Sequence, residues 1–208
     1  MTTATRKLRE KEELRQLILQ SAKKLFVEKG IENTTIRNIA DATDYSVGTV
    51  YVYFKDKNAI LHDLHTIGFS ELGGYFLEIS PVDDPLERLK QMGRIYLKFA
   101  VENPDMYDLM FNIKEPLKHL AEKENDGCEA WDEGIGTFNI LKSTVKDCID
   151  KGYFSGHEEE PLSFMIWGVV HGMCTLEIRK RTKGLKFNRP ETILTDGYKE
   201  FLKMLDKV

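Results

Sequence analysis

The sequence predicts an all-α fold of about nine helices, with an N-terminal three-helix domain followed by a larger C-terminal helical domain. Apolar residues recur every three or four positions along most of the 208-residue chain, and no segment shows the alternation typical of a strand. Ser, Thr, Asp or Pro precedes the apolar runs, and these residues favour helix starts. Gly follows several of the runs and favours helix ends. Hydrophobic residues make up 41% of the chain and charged residues 31%, which excludes a disordered protein.

Four helices are predicted in the first 80 residues. Gly30 is a natural stop after the first apolar stripe. Thr34 or Thr35 can cap the second helix, Ser46 the third and Asp56 the fourth. Gly68 and two later glycines are poor helix formers, so a bend or break is expected in the fourth helix. The predicted ranges are 8–29, 35–42, 46–52 and 56–79.

Five further helices are predicted in the rest of the chain. Asp84 is a cap and Pro85 a first helical residue, and Pro161 and Pro190 mark two later helix starts in the same way. Gly152 ends the helix that carries the apolar stripe before it. The predicted ranges are 85–103, 104–111, 129–151, 161–181 and 190–206.

The charge distribution supports a division into two domains, residues 1–55 and 56–208. The chain carries 30 Lys and Arg against 34 Asp and Glu, a net charge of −4. Residues 1–60 hold 11 basic and 8 acidic side chains, a net of +3, which leaves 19 basic and 26 acidic side chains, a net of −7. A basic N-terminal segment followed by an acidic remainder fits a nucleic-acid-binding module joined to another domain.

Several classes of protein are not expected. The three cysteines are widely spaced without a CxxC pair, so we expect a reducing cytoplasm and neither disulfides nor zinc. The sequence contains no run of about 18 apolar residues, so we expect no membrane-spanning helix. The polar N-terminus does not resemble a signal peptide. Enzyme motifs are absent, and His62, Asp63 and His65 are too few for a metal site. We therefore expect no cofactor, metal or catalytic residue.

Residues 34–57 have the size of a helix-turn-helix, in which the second of two short helices enters the major groove of DNA. Asp44 lies in the turn, and Asp tolerates positive φ better than most residues. Gly48 gives the second helix a bare face for close approach to DNA or to the first helix. The predicted small core consists of Leu25, Phe26, Ile31, Ile36, Ile39, Ala40, Tyr45, Val50, Phe54 and Leu61.

The polar residues left over in this segment are hydroxyls, phenols and cations, which reach phosphates. Arg37 can also read a guanine through two hydrogen bonds. Helix N-termini at Thr35 and Ser46 add backbone N–H donors for a phosphate. The alternative is an ordinary helical domain that carries these side chains in its core or on its surface. The candidate DNA-contacting residues are Thr35, Arg37, Ser46, Val47, Gly48, Thr49, Tyr51, Tyr53, Lys55 and Lys57.

The segment resembles the DNA-binding domain of the tetracycline-repressor (TetR) family of bacterial regulators. The turn departs from the family pattern, which usually has Ala-Gly where this chain has Thr43 and Asp44. The resemblance implies base or nearby phosphate contacts for Arg37 and Thr49, and a groove-facing position for Val47. It implies DNA-backbone contacts for Thr35, Ser46, Tyr51, Tyr53 and Lys57. The matching residues are Thr34, Thr35, Ile36, Arg37, Ile39, Ala40, Ser46, Gly48, Thr49, Tyr51, Tyr53, Phe54, Lys57 and Ile60.

Two later stretches, 103–111 and 167–172, resemble a C-terminal domain type of this family that is marked by Trp, His and Gly. The resemblance implies a helical domain that responds to an effector and forms dimers. Trp167 and His171 are four residues apart and share a helix face. With other aromatic and Met residues they are candidates to line an apolar pocket, and a purely structural core is the alternative. The candidate lining is Tyr96, Met106, Met110, Phe111, Trp131, Phe138, Trp167 and His171.

In this family the last two long helices form a four-helix bundle with a partner chain, which implies a homodimer here. Gly168 and Gly172 permit close helix approach. Packing within one chain explains the apolar face of the last helix nearly as well. That face consists of Leu194, Tyr198, Phe201 and Leu205. The basic run 179–183 is interpreted as a solvated helix end, where cations are favourable.

These observations predict a cytoplasmic transcription regulator. We expect a homodimeric repressor that binds a palindromic DNA operator, leaves it when a small-molecule effector binds, and has no membrane partner. The alternative is a helical ligand-binding or scaffolding protein whose DNA reader is vestigial. An α-helical enzyme is a third interpretation, for which the sequence offers no nucleophile or acid–base pair.

Overall fold

The computed structural model describes residues 3–112 and 132–207. In these ranges the chain forms nine α-helices and no strand, in agreement with the predicted fold class. A π-helical turn follows α6, and short 3-10 turns precede α9. The helices are α1 (Thr3–Lys29), α2 (Ile36–Ala42), α3 (Val47–Tyr53), α4 (Lys57–Glu78), α5 (Pro85–Glu102), α6 (Pro104–Tyr107), α7 (Asp132–Asp150), α8 (Glu159–Ile178) and α9 (Ile193–Leu205). The π turn is Asp108–Asn112, and the 3-10 turns are Arg181–Gly184 and Pro190–Thr192.

Most helix boundaries follow the predicted capping signals. The Asp84 side chain caps α5, whose first residue is Pro85. Asp56 caps α4 by accepting a hydrogen bond from the Ala59 N–H, 2.8 Å between donor and acceptor. Gly30 and Gly152 end α1 and α7 with φ values of +82° and +96°, which glycine adopts without strain.

The structure corrects four of the predicted elements. α1 begins five residues before the predicted start, and α4 runs without a break through Gly68 and the two later glycines. The segment predicted as one helix over 104–111 is a short α-helix that passes into a π turn. α8 ends at Ile178, three residues early, because the chain turns at Lys180 with a φ of +53°. The predicted start of α7 at 129–131 lies outside the described residues.

The chain divides into two compact units. Within the described residues, the first unit contains 3–69 and 105–112, and the second contains 70–104 and 132–207. The division differs from the predicted boundary after residue 55, because residues 57–69 of α4 and the π turn belong to the same unit as α1 to α3. The functional boundary stays a prediction.

Each unit has its own apolar core. The first is built on residues that are almost completely buried, including Ile18, Leu19, Ala22, Phe26, Ile39, Val50, Phe54, Ile60, Tyr107 and Leu109. The second includes Leu72, Leu89, Met92, Phe99, Ala100, Val145, Cys148, Phe154, Leu162, Ile166 and Cys174.

Candidate nucleic-acid interface and effector site

A capping box fixes the N-terminus of α2. The Thr35 side chain accepts a hydrogen bond from the Asn38 N–H at 3.1 Å, and the Asn38 side-chain oxygen accepts one from the Thr35 N–H at 2.9 Å. Just before it, the buried Thr34 hydroxyl donates to the Leu25 and Gly30 carbonyls at the end of α1. The start of α2 is therefore held in place while Thr35 itself stays exposed.

The turn between α2 and α3 adopts the backbone that the sequence predicts. Asp44 has a φ of +57°, in the left-handed region. The preceding Thr43 is buried and its hydroxyl donates to the Ile39 and Ala40 carbonyls at 3.1 and 3.0 Å. The Thr43–Asp44 pair thus satisfies the last carbonyls of α2 and still allows a tight reversal.

Ser46 caps α3. Its hydroxyl accepts a hydrogen bond from the Thr49 N–H at 3.0 Å and lies 2.8 Å from the Thr49 hydroxyl. A Cβ built on Gly48 meets only the Ser46 hydroxyl, 3.7 Å away, so the bare face of this glycine points to open space and not against α2. The first turn of α3 is therefore open to close approach by a partner.

The predicted DNA-contacting residues all lie in this part of the first unit, and none is buried. Thr35, Arg37, Ser46, Gly48, Tyr51 and Lys55 are exposed. Val47, Thr49, Tyr53 and Lys57 are half-buried.

Two side chains that sequence reasoning did not assign to this surface belong to it. Tyr45 was expected in the small core, but its side chain is 45% exposed. Ile39, Val50 and Phe54 already fill that core, so no room is left for a phenol. Val52 is 74% exposed, the most exposed large apolar side chain of the helix-turn-helix. The sequence already indicated this exposure for Val52, because helical spacing places residue 52 on the same face as Gly48 and Tyr45.

Contacts from α1 and α4 hold α3 in position. The Lys57 ammonium donates to the Ile31 carbonyl at 2.5 Å, so this predicted phosphate contact also has a structural role. The Arg15 guanidinium pairs with Asp63 and lies over the Phe54 ring, 5.6 Å from its centroid. Phe54 is the C-cap of α3. Its ring therefore contacts Arg15 of α1, which is itself paired with Asp63 of α4.

The π turn packs against α4 within the first unit. His65 Nε2 lies 2.7 Å from the Leu109 carbonyl oxygen, and Phe69 packs edge-on against Phe111 at 5.3 Å between ring centroids. A Cβ on Gly68 would lie 2.6 Å from the Met110 sulfur and 3.0 Å from that of Met106. The structure thus brings Met106, Met110 and Phe111 together around one face of α4. The His62, Asp63 and His65 group forms no metal cluster in the described ranges.

In the second unit, α5 and α8 share a chain of polar side chains. Trp167 Nε1 donates to the Tyr96 hydroxyl at 3.2 Å, and that hydroxyl lies 3.1 Å from His171 Nδ1. The Tyr96 hydroxyl accepts from the indole and still has one hydrogen, which it can donate to Nδ1 of a neutral imidazole. Nε2 faces the Thr175 hydroxyl at 3.4 Å, and Phe138 packs on Trp167. We call Tyr96, Phe138, Trp167, His171 and Thr175 the polar–aromatic cluster.

The electrostatics of the second unit favour binding over nucleophilic chemistry. Burial lowers the pKa of His171 below its usual value, so the imidazole stays neutral and keeps its acceptor nitrogen. Burial also raises the pKa of Cys148 to about 12, which keeps this thiol protonated and unreactive. Of the predicted pocket residues, Trp131 lies outside the described part of the chain. The others fall into two groups, one in each unit.

α8 has an apolar face that is exposed. The side chains of Phe164, Met165 and Leu176 are 64%, 50% and 50% exposed, and open space lies in front of Gly168 and Gly172. Contrary to the expectation from sequence, α8 is long and apolar enough to cross a membrane, a property that core helices of globular proteins share.

The apolar face of α9 is largely used within the chain. Tyr198, Phe201 and Leu205 are buried within the single chain, which favours the alternative of packing within one chain over a partner-facing surface for these three residues. The Tyr198 hydroxyl donates to the Lys90 carbonyl at 2.8 Å, and Leu194 is only half-buried.

Comparison with known proteins identifies both parts of the chain. A model described as bacterial regulatory proteins of the tetR family matches residues 18–64. A second, described as a tetracyclin repressor-like C-terminal domain, matches residues 89–198.

Two similar proteins and one solved structure illustrate the likeness. The transcriptional regulator HbdR of Aromatoleum is 48% identical over 164 residues, 77% of this chain and 68% of that protein. The regulator AcrR of Shigella flexneri is 32% identical over 68% of this chain, which spans 66% of its length, just under two thirds. The crystal structure of FadR from Bacillus subtilis in complex with stearoyl-CoA has a TM-score of 0.70 at 20% identity, over 91% of this chain and 96% of that one.

Proposed function

Because the chain belongs to the TetR family of transcriptional regulators, which are not enzymes, we propose that it is a cytoplasmic, homodimeric repressor of a palindromic operator, released by a small-molecule effector. The observation that carries the proposal is the helix-turn-helix surface. Two capped helix N-termini, an exposed arginine and exposed phenols are combined there on a buttressed scaffold.

Each part of this surface has a chemical role in reading DNA. α3 lies in the major groove, where Arg37 and Thr49 meet base edges or nearby phosphates. Val47 and Val52 offer methyl groups to thymine. The N-termini of α2 and α3 and the hydroxyls and ammonium groups around them bind phosphates, which fixes the register. Binding is therefore expected to weaken steeply with salt.

A second copy of the chain covers the exposed apolar face of α8. The open space at Gly168 and Gly172 lets two α8 helices approach closely, while Phe164 and Leu176 pack beside them. The dimer presents two α3 helices to half-sites about one helical turn of DNA apart, or a multiple of it, roughly 34–36 Å. This arrangement accounts for the apolar character of α8 without a membrane.

The effector binds at the polar–aromatic cluster of the second unit. The cluster combines aromatic faces with one neutral imidazole and one phenol, as small-molecule sites do. FadR of Bacillus subtilis was solved with stearoyl-CoA, which supports an effector with an apolar group. Release of DNA requires that the effector binds two states of the dimer unequally. α4 contributes residues to both units and is the candidate link.

Selection of bound duplexes from a random DNA library, with the purified protein at moderate salt, tests the proposal. We expect a two-fold symmetric motif. Arg37→Ala should weaken binding to that motif by about 1–3 kcal/mol and relax one position of it. Lys24→Ala is the control, because it also removes one positive charge but lies on the exposed side of α1. It should leave the selected motif unchanged.

Enrichment of no motif by the folded, effector-free protein would contradict the proposal. In that case a ligand-binding protein with a vestigial reader explains the chain better.

A further inference from the structure

The side of α3 that faces away from the core is apolar and bare. Val50 is completely buried, and Gly48 and Val52 each lie two residues from it. Two residues turn an α-helix by roughly 200°, so these two positions lie nearly opposite the buried side. Val52 is more exposed than any other large apolar side chain in the described part of the chain, and a Cβ on Gly48 would meet only the Ser46 hydroxyl. We call Gly48 and Val52 the leading face of α3.

α3 lacks the side chains that read bases through paired hydrogen bonds. Its sequence is VGTVYVY, with no arginine, lysine, amide or carboxylate. Guanine is commonly read by Arg or Lys and adenine by Asn or Gln, each through two hydrogen bonds. The polar side chains of α3 are all hydroxyls, and that of Thr49 lies 2.8 Å from the Ser46 hydroxyl. The helix that enters the major groove therefore has little capacity to read bases by hydrogen bonding.

The major groove also presents an apolar group. The C5 methyl group of thymine projects into it, whereas the other base edges present hydrogen-bond donors and acceptors. The two methyl groups of Val52 can cover such a group, and the missing side chain at Gly48 lets the backbone of α3 come close to the base edges. 5-Methylcytosine carries a methyl group at the same position of its ring. The leading face thus matches a C5-methylated pyrimidine in shape and polarity.

The surroundings of the leading face favour DNA over a second protein as its occupant. Arg37 and Lys55 are exposed in the same helix-turn-helix, and the phenol of Tyr51 is exposed on α3 itself. Cations and hydroxyls around an apolar centre suit a base edge that is flanked by phosphates. The chain also belongs to a family of DNA-binding regulators.

We propose that the leading face recognises the C5 methyl groups of pyrimidines, so that α3 selects its operator through methyl contacts. Thymine supplies the methyl group in unmodified DNA, and 5-methylcytosine supplies it in methylated DNA. This inference rests on the DNA binding of the proposed function and names the group of the base that α3 reads. A cytosine at a position that α3 contacts gains affinity for the protein when it is methylated at C5.

Replacement of thymine by deoxyuridine in the selected motif tests the inference. The two bases pair identically and differ only in the C5 methyl group. Fluorescence anisotropy measures the affinity of the full-length protein for duplexes with one such change in one half-site. We expect binding about fourfold weaker at one or two positions, the effect of one apolar group left in contact with water, and no change elsewhere. We call these the methyl-sensitive positions.

A second set of duplexes distinguishes the two sources of the methyl group. Cytosine paired with guanine replaces thymine at a methyl-sensitive position, with or without a methyl group at C5. We expect the methylated duplex to bind about fourfold more tightly than the unmethylated one. Equal affinities of these two duplexes would overturn the proposal for methylated DNA.

Val52→Ala tests whether α3 is the reader of the methyl group. The side chain is mostly exposed, so the variant should stay folded. We expect it to bind the thymine and deoxyuridine duplexes equally, because the side chain that covers the methyl group is shortened. Val101→Ala makes the same chemical change at an exposed position of α5 and is the matched control. It should keep the fourfold difference.

Gly48→Ala tests the close approach of α3 to the bases. The new methyl group meets no obstacle within the protein and alanine favours a helix, so stability should not fall. Operator affinity should fall about tenfold, because the methyl group holds α3 away from the groove. A variant that binds the operator as tightly as the wild type would contradict the close approach.

A selected motif that binds equally well with thymine and with deoxyuridine at every position would overturn the inference. A Val52→Ala variant that keeps the wild-type difference would overturn it too, because another part of the protein then reads the methyl group. Neither result affects the proposed function. Selection of no motif at all would overturn the proposed function, and the inference with it.

Discussion

The helix-turn-helix and the second unit are held together by hydrogen bonds of very different range. In the first, side chains bond to backbone three or four residues away, as with Ser46 to Thr49 and Thr43 to Ile39. In the second, Tyr96 bonds to His171, 75 positions away, and Tyr198 bonds to the Lys90 carbonyl, 108 positions away. The caps and the turn of the DNA reader are encoded locally, although Arg15 of α1 and Asp63 of α4 support it from a distance. The polar contacts of the effector unit join helices that are far apart in sequence.

This difference predicts how strongly a substitution in each region should affect stability. Loss of a local cap removes one bond and leaves the surrounding core intact. A change at a contact between distant helices disturbs the packing of both, and close-packed interiors relax only in part. We therefore expect the largest effects in the second unit, although its surface chemistry is the less conspicuous of the two.

Gly93→Ala should cause the largest loss of stability. A Cβ at residue 93 would lie 2.0 Å from the Tyr198 hydroxyl oxygen and 2.6 Å from Cζ of the same ring. Tyr198 is buried and hydrogen-bonded to Lys90, so its ring cannot swing away without losing that bond. We expect the free energy of unfolding in urea to fall by about 3 kcal/mol.

Gly136→Ala is the control for Gly93→Ala. Residue 136 is exposed in α7 with open space around it, so alanine there should stabilise the protein by about 0.5–1 kcal/mol through helix propensity. The two substitutions are chemically identical and differ only in what the new methyl group meets. If both stabilise the protein, the contact between α5 and α9 is looser than the structure shows.

Ser46→Ala should have an intermediate effect, confined to the DNA reader. It removes the hydroxyl that accepts the Thr49 N–H and should lower the free energy of unfolding by about 1 kcal/mol. Operator affinity should fall as well, because the first turn of α3 frays where it meets DNA. Ser70→Ala, an exposed position inside α4, makes the same chemical change without a cap. It should leave operator affinity unchanged and raise stability slightly, because Ala is the better helix former.

Sequence reasoning predicted the local part of the molecule well, for a physical reason. Caps at Thr35 and Ser46 and the positive φ of Asp44 depend on residues within four positions, and helix periodicity reports such neighbours directly. The shared face of Trp167 and His171 followed from the same spacing.

The parts that sequence reasoning missed depend on contacts between distant segments. The sequence shows that Tyr45 is a large aromatic residue, but only the packed structure shows that its side chain is exposed and lies outside the core. The π turn looked like part of the effector domain along the chain, yet it packs on α4 in the first unit through His65 and Leu109.

His171 gives the smallest and most specific test of the long-range contacts. Burial lowers the pKa of this imidazole in the folded protein below its value of about 6.5 in the unfolded chain. Above that pH neither state is protonated, so His171 adds no pH dependence. As the pH falls through the window below it, the unfolded chain takes up a proton that the folded protein resists, and stability decreases. His171→Asn keeps an acceptor near the Nδ1 position and removes the titration. Urea unfolding should therefore show that the stability of the wild type relative to this variant falls as the pH is lowered from 7.5 to 5.5. A difference that stays constant over this range would show that the imidazole is solvated and not held by Tyr96.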